Sequence, residues 1–338
     1  MRGFGRVKRW LRRFQSNAII LCYHRVTELA SDPQLLSVTP KHFAEQLDVL
    51  GRRFQVVGLQ DWVSERNSSD HRRQDVILTF DDGYADNLHE ALPVLRAAGC
   101  PATIFITTGK IGDDKEFWWD ELERLLLIAP NLPQALRLTI AGRDYTWQLA
   151  SDAAQEETGR RWHVLLRQDP TLRQTVYLAL CGLLRTVAEP ERSGILDELG
   201  LWTGLGRGGR PSHRPLTSAE LVTLEADELI EIGAHSVTHP SLAALSTRAQ
   251  DFEISESKSM LELLLGKPVR SFSYPFGGRD DYDTDTIRLV REAGFNCACA
   301  NDADFVHRSS DRYALPRFLV RDWDGDEFAK NLELWLDH

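Results

Sequence analysis

The sequence predicts an α/β protein in which a largely parallel sheet is covered by helices. Short apolar runs alternate with amphipathic stretches along most of the chain, and this alternation is typical of β-α-β units. The 338 residues suffice for two domains, or for one large α/β domain with an insertion. The number of units allows a closed or nearly closed barrel as well as an open doubly wound sheet. In either fold, catalytic residues belong at the C-terminal ends of the strands.

Each predicted element follows from its local pattern. Apolar, often β-branched runs predict strands at residues 18–23, 54–57, 76–80, 102–107, 229–234, 271–274, 296–300 and 318–320. Apolar residues at helical spacing predict helices at residues 40–52, 86–98, 118–128, 247–265 and 284–293. Thr217-x-x-Glu220 is a capping box and predicts that a further helix begins there.

Residues 129–214 interrupt the alternation, and we interpret them as a helical insertion. Helical patterns cover residues 149–166 and 172–187, and a Gly/Arg-rich stretch that resembles a linker follows. The predicted organisation is a basic N-terminal segment (1–17), a first part of the α/β domain (18–128), the insertion (129–214) and a second part (215–338).

The composition restricts the classes of partner and of compartment. Fifty acidic residues outnumber forty Lys and Arg residues, giving a formal net charge of -10, which argues against a nucleic-acid partner. No apolar run reaches the length of about 18 residues that a membrane-spanning helix needs. The five cysteines are scattered and form no C-x-x-C, which fits a reducing compartment. We therefore expect a cytoplasmic protein.

The first fourteen residues have the opposite charge. They contain six basic residues and no acid, with Phe4, Val7, Trp10, Leu11 and Phe14 at helical spacing. This pattern is typical of a short helix on an anionic membrane surface, and it lacks the apolar region of a secretory signal. Peripheral contact of residues 1–14 with the inner membrane surface is one interpretation, and a solvated basic leader is the other.

The first chemical motif is Leu-Thr-Phe-Asp-Asp-Gly-Tyr at residues 78–84. A strand runs into Asp81 and Asp82, whose side chains point in different directions because strand side chains alternate. One carboxylate is therefore free to bind a metal ion while the other acts as a base. Taken alone, the Asp-Gly pair favours an ordinary turn.

The second motif places two histidines after another predicted strand. His235 and His239 are four residues apart with small residues between them, so both imidazoles can converge on one ion. Histidine and carboxylate are common zinc ligands, and an open zinc site uses three protein ligands. One aspartate of the first motif would complete a His₂Asp set. A third segment, residues 272–278, ends a strand with Pro-Phe-Gly-Gly and permits close backbone approach to a ligand.

Together these segments resemble the NodB homology domain of polysaccharide deacetylases, carbohydrate esterase family 4. Residues 79–82 match the family's TFDD motif and residues 235–239 its H-S/T-x-x-H motif. The resemblance covers about residues 18–128 and 216–325. It implies a distorted (β/α) barrel with fewer than eight regular units.

The resemblance also implies metal-dependent hydrolysis of an acetyl group on a sugar. Carried over by position, Asp81 is the general base, and Asp82, His235 and His239 hold a divalent metal ion. Zn²⁺ is the expected ion, although other divalent ions fit the same ligands.

The third family motif is altered here. It usually reads R-x-P-Y-G, with the arginine holding the base, whereas this chain has Ser273 at the arginine position and Phe276 at the tyrosine position. The backbone N–H of Phe276 is still expected to serve as oxyanion donor. Arg317, which opens a late predicted strand, is our candidate replacement for the arginine, and Arg270 and Arg321 are weaker candidates.

The family's L-x-H motif, which supplies a general-acid histidine, has no clear counterpart in this sequence. His24 follows the first predicted strand, where a barrel would deliver it to the site, and a structural hydrogen bond is the alternative role. Tyr84, Trp118 and Trp119 are predicted to border the substrate.

The predicted function is a metal-dependent hydrolase that removes an acetyl group from a glycan or from a lipid-linked or nucleotide-linked sugar. Cleavage of a carbon–nitrogen (non-peptide) or ester bond fits this site. One alternative keeps the site and acts on a formyl or other amide of a sugar. The other is a non-catalytic glycan-binding barrel, and the presence of both a base and a metal triad argues against it.

Overall fold

The structure, a computed structural model, describes residues 16–65, 74–149, 162–166, 171–206, 208–307 and 309–337. The strands in chain order are β1 (Ser16–Tyr23), β2 (Arg25–Val26), β3 (Ser37–Val38), β4 (Gln55–Val56), β5 (Asp75–Phe80), β6 (Ala102–Ile106), β7 (Ala135–Ile140), β8 (Arg143–Gln148), β9 (Ile230–Ala234), β10 (Ser271–Ser273), β11 (Cys297–Cys299), β12 (Val306–His307) and β13 (Phe318–Leu319). The predicted strands are all present, with bounds that shift by one or two residues.

The helices predicted outside the insertion are present, and Leu59–Glu65, Glu189–Thr203 and Gly325–Asp337 are helices that the sequence analysis did not predict. In chain order, the described helices are α1 (Pro40–Arg53), α2 (Leu59–Glu65), α3 (Leu92–Ala98), α4 (Trp118–Leu122), α5 (Leu172–Leu184), α6 (Glu189–Thr203), α7 (Ser218–Glu225), α8 (Thr247–Leu265), α9 (Thr284–Glu292) and α10 (Gly325–Asp337). A π-type turn precedes α3 (Asn87–Ala91) and another continues α4 (Glu123–Ile128). The predicted capping box at Thr217 begins α7. Among the described helices, none combines the length and apolar character needed to cross a membrane.

One curled sheet organises the described chain. Its strands follow the order β11-β10-β9-β6-β5-β1-β12, with β13 also paired to β1 and β4 to β5. Every pairing is parallel except that of β1 with β12. Central β5 is buried along its whole length, as expected for a parallel strand covered on both faces.

A late segment joins the two ends of this curled sheet. Leu315 bridges Cys299 of β11, and a few residues later Phe318 and Leu319 pair with Leu21 and Cys22 of β1. Helices cover the outside, so the fold is the distorted (β/α) barrel that the family resemblance implies, rather than an open sheet. Arg317 lies within this closing segment.

Strand alternation decides which side chains of β5 reach the barrel interior. Val76, Leu78 and Phe80 belong to the outer core that packs on the helices, with Phe80 edge-on to Phe43 of α1. Ile77 belongs to a separate interior cluster. By the same period of two, Thr79 and Asp81 also face inward.

The insertion differs from the sequence prediction. A β-hairpin, β7–β8, occupies Ala135–Gln148, so the segment is not mostly helical. Leu136, Leu138 and Ile140 are buried while their neighbours face outward, and Ala141 and Gly142 turn with positive φ. This alternation is a strand pattern that the helical interpretation missed.

The predicted helix at residues 149–166 is also not supported. Residues 150–161 lie outside the described residues, and residues 162–166 are not helical. The predicted N-terminal segment lies, up to residue 15, outside the described residues as well, so its membrane contact stays a prediction.

Candidate active site

The two adjacent carboxylates follow β5 and diverge. Asp82 has a φ of 77° and Gly83 a φ of 87°, and aspartate is among the residues that tolerate the left-handed region. A Cβ atom on residue 83 would lie 2.9 Å from Ile106 Cδ1, so glycine fits this turn. The turn sends Asp81 toward Arg317 and Asp82 toward the two histidines.

Asp81 is held by a two-pronged ion pair. Arg317 Nη1 donates to Asp81 Oδ1 at 2.8 Å, and Arg317 Nη2 donates to Oδ2 at 2.6 Å. The Arg317 side chain is 0% exposed and that of Asp81 2%. Two parallel charge-assisted bonds fix the carboxylate in one rotamer and one plane. The structure therefore joins the two residues that the sequence analysis paired.

The other donors of Arg317 are also used. Nη1 donates to Thr79 Oγ1 at 3.1 Å and Nη2 to Ser273 Oγ at 2.9 Å. Nε donates to Ala300 O and to Asn301 Oδ1, each at 3.1 Å. All five N–H groups of the guanidinium therefore have partners.

Ser273 stands at the sequence position of the family's arginine. Its hydroxyl accepts from Arg317 and lies 3.3 Å from Asp81 Oδ2, to which it donates. The serine thus makes room for a guanidinium that arrives from the closing segment. Arg321, a weaker candidate, instead donates to the main-chain carbonyl of Gln34.

Electrostatics keep Asp81 ionised. Burial raises the pKa of Asp81, but the Arg317 guanidinium and His235 outweigh it and hold the pKa well below its usual value. For Asp82, burial and the charge of Asp81 raise the pKa well above its usual value. The neighbouring carboxylates thus have opposite shifts because only one of them has a cationic partner.

Asp82, His235 and His239 form a compact buried group. Asp82 Oδ1 lies 3.6 Å from His235 Nε2 and 3.4 Å from His239 Nε2. His235 Nδ1 lies 2.7 Å from the carbonyl of Ser273, which can only accept, so Nδ1 carries the hydrogen and Nε2 faces the group with its lone pair.

This group fits a divalent cation. Asp82 Oδ1 is buried without a hydrogen-bond partner, although two imidazole nitrogens surround it. Burial lowers the pKa of both His235 and His239, so both rings are neutral and available as ligands. Three donors, one carboxylate oxygen and two imidazole nitrogens, match a metal site that leaves a position open.

The loop at residues 235–239, which carries both histidines, has a strained backbone that hydrogen bonds from other elements stabilise. Ser236 and His239 have φ values of 60° and 56°. Glu253 of α8 accepts hydrogen bonds from the N–H groups of Val237 and Thr238, each at 2.8 Å. From the insertion, Arg192 donates to the carbonyl of His239 at 3.4 Å. Neither Glu253 nor Arg192 carries a local sequence signal for this role.

His24 lies beside the base. Ligand atoms of Cys22, His24 and Asp81 all lie within 4.8 Å of one another. Burial lowers the pKa of His24 to about 4, so the imidazole is neutral at neutral pH. The sequence analysis predicted His24 here and missed Cys22, whose thiol donates to Asp81 Oδ2 at 3.6 Å.

Phe276 borders the same site. Its φ is 60°, and its ring packs edge-on against His239, with centroids 4.7 Å apart. Asn301 Nδ2 donates to its carbonyl at 2.7 Å, while the guanidinium of Arg185 lies 4.5 Å above the ring. The predicted oxyanion role of its N–H stays a prediction.

Tyr84, Trp118 and Trp119 are buried next to the site, and their predicted contact with the substrate stays a prediction. Their exposures are 0%, 5% and 6%. The Tyr84 hydroxyl donates to Asp120 at 2.7 Å and accepts from Trp119 Nε1 at 2.8 Å. Trp119 packs against His239, with ring centroids 4.8 Å apart. These rings belong to a buried core, because the insertion packs over them.

The sequence motifs and the geometry agree with a comparison against known families. Residues 68–127 and 210–298 match the polysaccharide deacetylase family. The chain carries a polysaccharide deacetylase (NodB homology) domain. A curated putative polysaccharide deacetylase of Bacillus subtilis, YxkH, is 40% identical over 108 residues, which are 32% of this chain and 38% of that relative.

Solved deacetylase structures share the fold. The Streptococcus pyogenes deacetylase PplD, solved in complex with acetate, has 16% identity and a TM-score of 0.57, covering 95% of this chain and 99% of that chain. IcaB from Ammonifex degensii has 17% identity and a TM-score of 0.56, covering 96% of this chain and 98% of that chain. At this identity the likeness concerns the fold of the deacetylase domain.

The histidine pair yields a first prediction. We expect His235→Ala and His239→Ala each to lower the metal content by one equivalent per chain, because each removes one of three ligands. Elemental analysis of purified protein measures this, with circular dichroism to confirm folding. His89→Ala is the matched control, since His89 is half exposed and pairs with Glu220. Wild-type metal content in both site variants would refute the ligand assignment.

The buried ion pair yields a second prediction. Arg317→Met leaves the Asp81 charge buried and unpaired, which should lower the free energy of unfolding by about 3–5 kcal/mol. Arg279→Met is the control, because its side chain is 84% exposed and pairs with Asp302, so we expect a loss of less than about 1 kcal/mol. Chemical denaturation measures both, and equal losses would contradict the structural role of the pair.

Proposed function

We propose that this protein is a metal-dependent hydrolase that removes an acetyl group from an acetylated sugar. The observation that carries the proposal is the fixed, ionised Asp81 next to the Asp82/His235/His239 group. A base and a ligand set for a cation therefore share one small volume at the C-terminal ends of neighbouring parallel strands, where this class of fold performs its chemistry.

A divalent ion held by Asp82, His235 and His239 would supply Lewis-acid activation of water and of the acetyl carbonyl. Asp81 accepts the proton of the attacking water as general base. The two hydrogen bonds from Arg317 keep Asp81 charged and correctly oriented before the reaction begins. The activation free energy therefore does not include the cost of orienting this carboxylate.

His24 gives the proton a route to the leaving group. Ligand atoms of Asp81 and His24 lie within 4.8 Å of each other, so Asp81 can pass the proton of the attacking water to the imidazole. His24 then protonates the leaving nitrogen or oxygen of the sugar. The N–H of Phe276 is the proposed donor to the oxyanion, an interaction typically worth a few kcal/mol.

For the substrate, we propose an acetylated glycan or a lipid-linked or nucleotide-linked sugar precursor. A cytoplasmic place of action at the inner membrane surface, contacted through residues 1–14, belongs to the same proposal. Zn²⁺ is the proposed ion, because one carboxylate and two imidazoles are a donor set that zinc prefers.

Acetate release from a panel of acetylated glycans, with and without a chelator, tests the function. We expect release that the chelator abolishes and that added Zn²⁺ restores. Formate release from the matching formylated sugars would favour the deformylase alternative. Glycan binding without release of either acid would favour the non-catalytic alternative.

The division of labour between the two aspartates yields a third prediction. Asp81→Asn should keep the metal and lose at least about 100-fold in turnover, because a general base contributes 10²–10⁴-fold. Asp82→Asn should lose both metal and turnover. Elemental analysis alongside acetate release separates the two, and equal metal loss would mean that the roles are shared or exchanged.

His24 yields a fourth prediction. His24→Gln keeps a polar side chain of similar size but cannot relay a proton, so turnover should fall by about 10²-fold or more. Metal content and melting temperature should stay near those of the wild type. His42→Gln is the control, because that imidazole pairs with Asp322 at the surface. Full activity of His24→Gln would assign His24 a structural role.

A further inference from the structure

A second buried cluster of metal-ligating groups lies behind the active site. Ligand atoms of Asp120, Glu123 and His213 all lie within 4.8 Å of one another. The three residues are 8%, 2% and 5% exposed. His213 Nε2 is 3.9 Å from Glu123 Oε2. None of these residues belongs to the deacetylase motifs.

These groups come from separate parts of the chain. Asp120 lies on α4, Glu123 begins the π-type turn that continues α4, and His213 ends the short 3₁₀ turn Pro211–His213. His213 Nδ1 lies 2.9 Å from Ser212 Oγ, which leaves Nε2 directed toward the carboxylates. The cluster therefore joins the segment just before the insertion to the end of the insertion.

The nearby cations already have other anionic partners. Arg210 binds both oxygens of Glu116 at 2.9 Å and also donates to Glu123 Oε2 at 2.8 Å. Arg25 donates from Nε to Asp86 at 3.0 Å. Glu123 thus receives one donor of a shared guanidinium and the Ser31 hydroxyl, while the Asp120 carboxylate accepts from the Tyr84 hydroxyl. Burial, reinforced by the charge of Glu123, raises the pKa of Asp120 to about 7.

Two independent observations point to an ion held by Asp120, Glu123 and His213. Glu123 Oε1 is buried without a hydrogen-bond partner, and buried carboxylate oxygens without partners are costly. The three residues also line a small cavity, together with Asp32 and Arg25, whose free space is that of about one water-sized sphere. This space excludes a sugar ring and admits a single ion or water molecule.

We propose that Asp120, Glu123 and His213 bind a second divalent metal ion, most suitably Zn²⁺. One imidazole nitrogen and two carboxylate oxygens are a zinc donor set, and the free space of the cavity matches the ion alone. The contact of His213 Nδ1 with Ser212 Oγ leaves Nε2 as the ligand atom.

The ion at this second site has a structural role. It links α4 with the end of the insertion, and the Tyr84 hydroxyl, which donates to Asp120, connects it to the chain two residues after Asp82. Loading the second site is therefore expected to stabilise the insertion rather than to take part in hydrolysis. The proposal does not depend on the proposed function.

Metal stoichiometry tests the proposal in the full chain. Wild type, His235→Gln/His239→Gln and a triple variant that adds Glu123→Gln are stripped with chelator, reloaded with Zn²⁺ alone and dialysed. We expect about two, one and zero equivalents of zinc per chain, because each site loses its ion with its ligands. His42→Gln is the control, because that imidazole pairs with Asp322 at the surface and belongs to neither ligand set.

The possible results separate this proposal from the proposed function. One equivalent in the wild type and none in the His235/His239 variant would overturn the second site, as would two equivalents that persist in both Glu123→Gln and His213→Gln. One equivalent that survives loss of His235 and His239 but not of Glu123 would support the second site and refute the first. Glu123→Gln preserves shape, so it replaces His213→Gln if the latter fails to fold.

Discussion

The pair between Arg317 and Asp81 is the contact on which the site depends. Asp81 ends the central strand β5, and Arg317 belongs to the segment that joins β11 to β1 across the opening of the sheet. A guanidinium and a carboxylate are expensive to bury unless each is fully satisfied. Here all five donors are used, so the geometry of barrel closure and the orientation of the base are determined by the same bonds.

The same pair explains why two neighbouring aspartates have different chemistry. Asp81 faces a fixed cation, and its pKa falls, whereas Asp82 turns away and faces two neutral imidazoles, and its pKa rises. A protonated or unsatisfied Asp82 is unfavourable in this buried position, and a cation between it and the histidines relieves that cost. The positive φ of Asp82 therefore turns the two adjacent side chains apart, so that Asp81 faces a guanidinium and Asp82 faces two imidazoles.

The sequence predicts the parts of the site that depend on local pattern. The aspartate pair and the histidine spacing single out Asp81, Asp82, His235 and His239, and the resemblance to polysaccharide deacetylases supplies their expected roles. An arginine that is absent from one family motif directs attention to Arg317. Local sequence patterns do not predict those features of the site that depend on packing between distant segments. The insertion packs over Trp118 and Trp119. His213 meets Glu123 because the end of the insertion folds back onto the segment that precedes it.

The insertion therefore helps to hold the candidate site in place and is not an independent addition to the barrel. Arg192 of α6 reaches the carbonyls of Thr238 and His239, and the main-chain carbonyl of Arg185 accepts from Ser241 at 2.9 Å. Both contacts restrain the loop at residues 235–241, which carries the histidines. The Arg185 guanidinium packs over the Phe276 ring. A strained loop keeps its shape only when its surroundings over-determine it. The insertion supplies much of that restraint, so we expect changes inside residues 172–203 to shift His235 and His239 without altering any deacetylase motif.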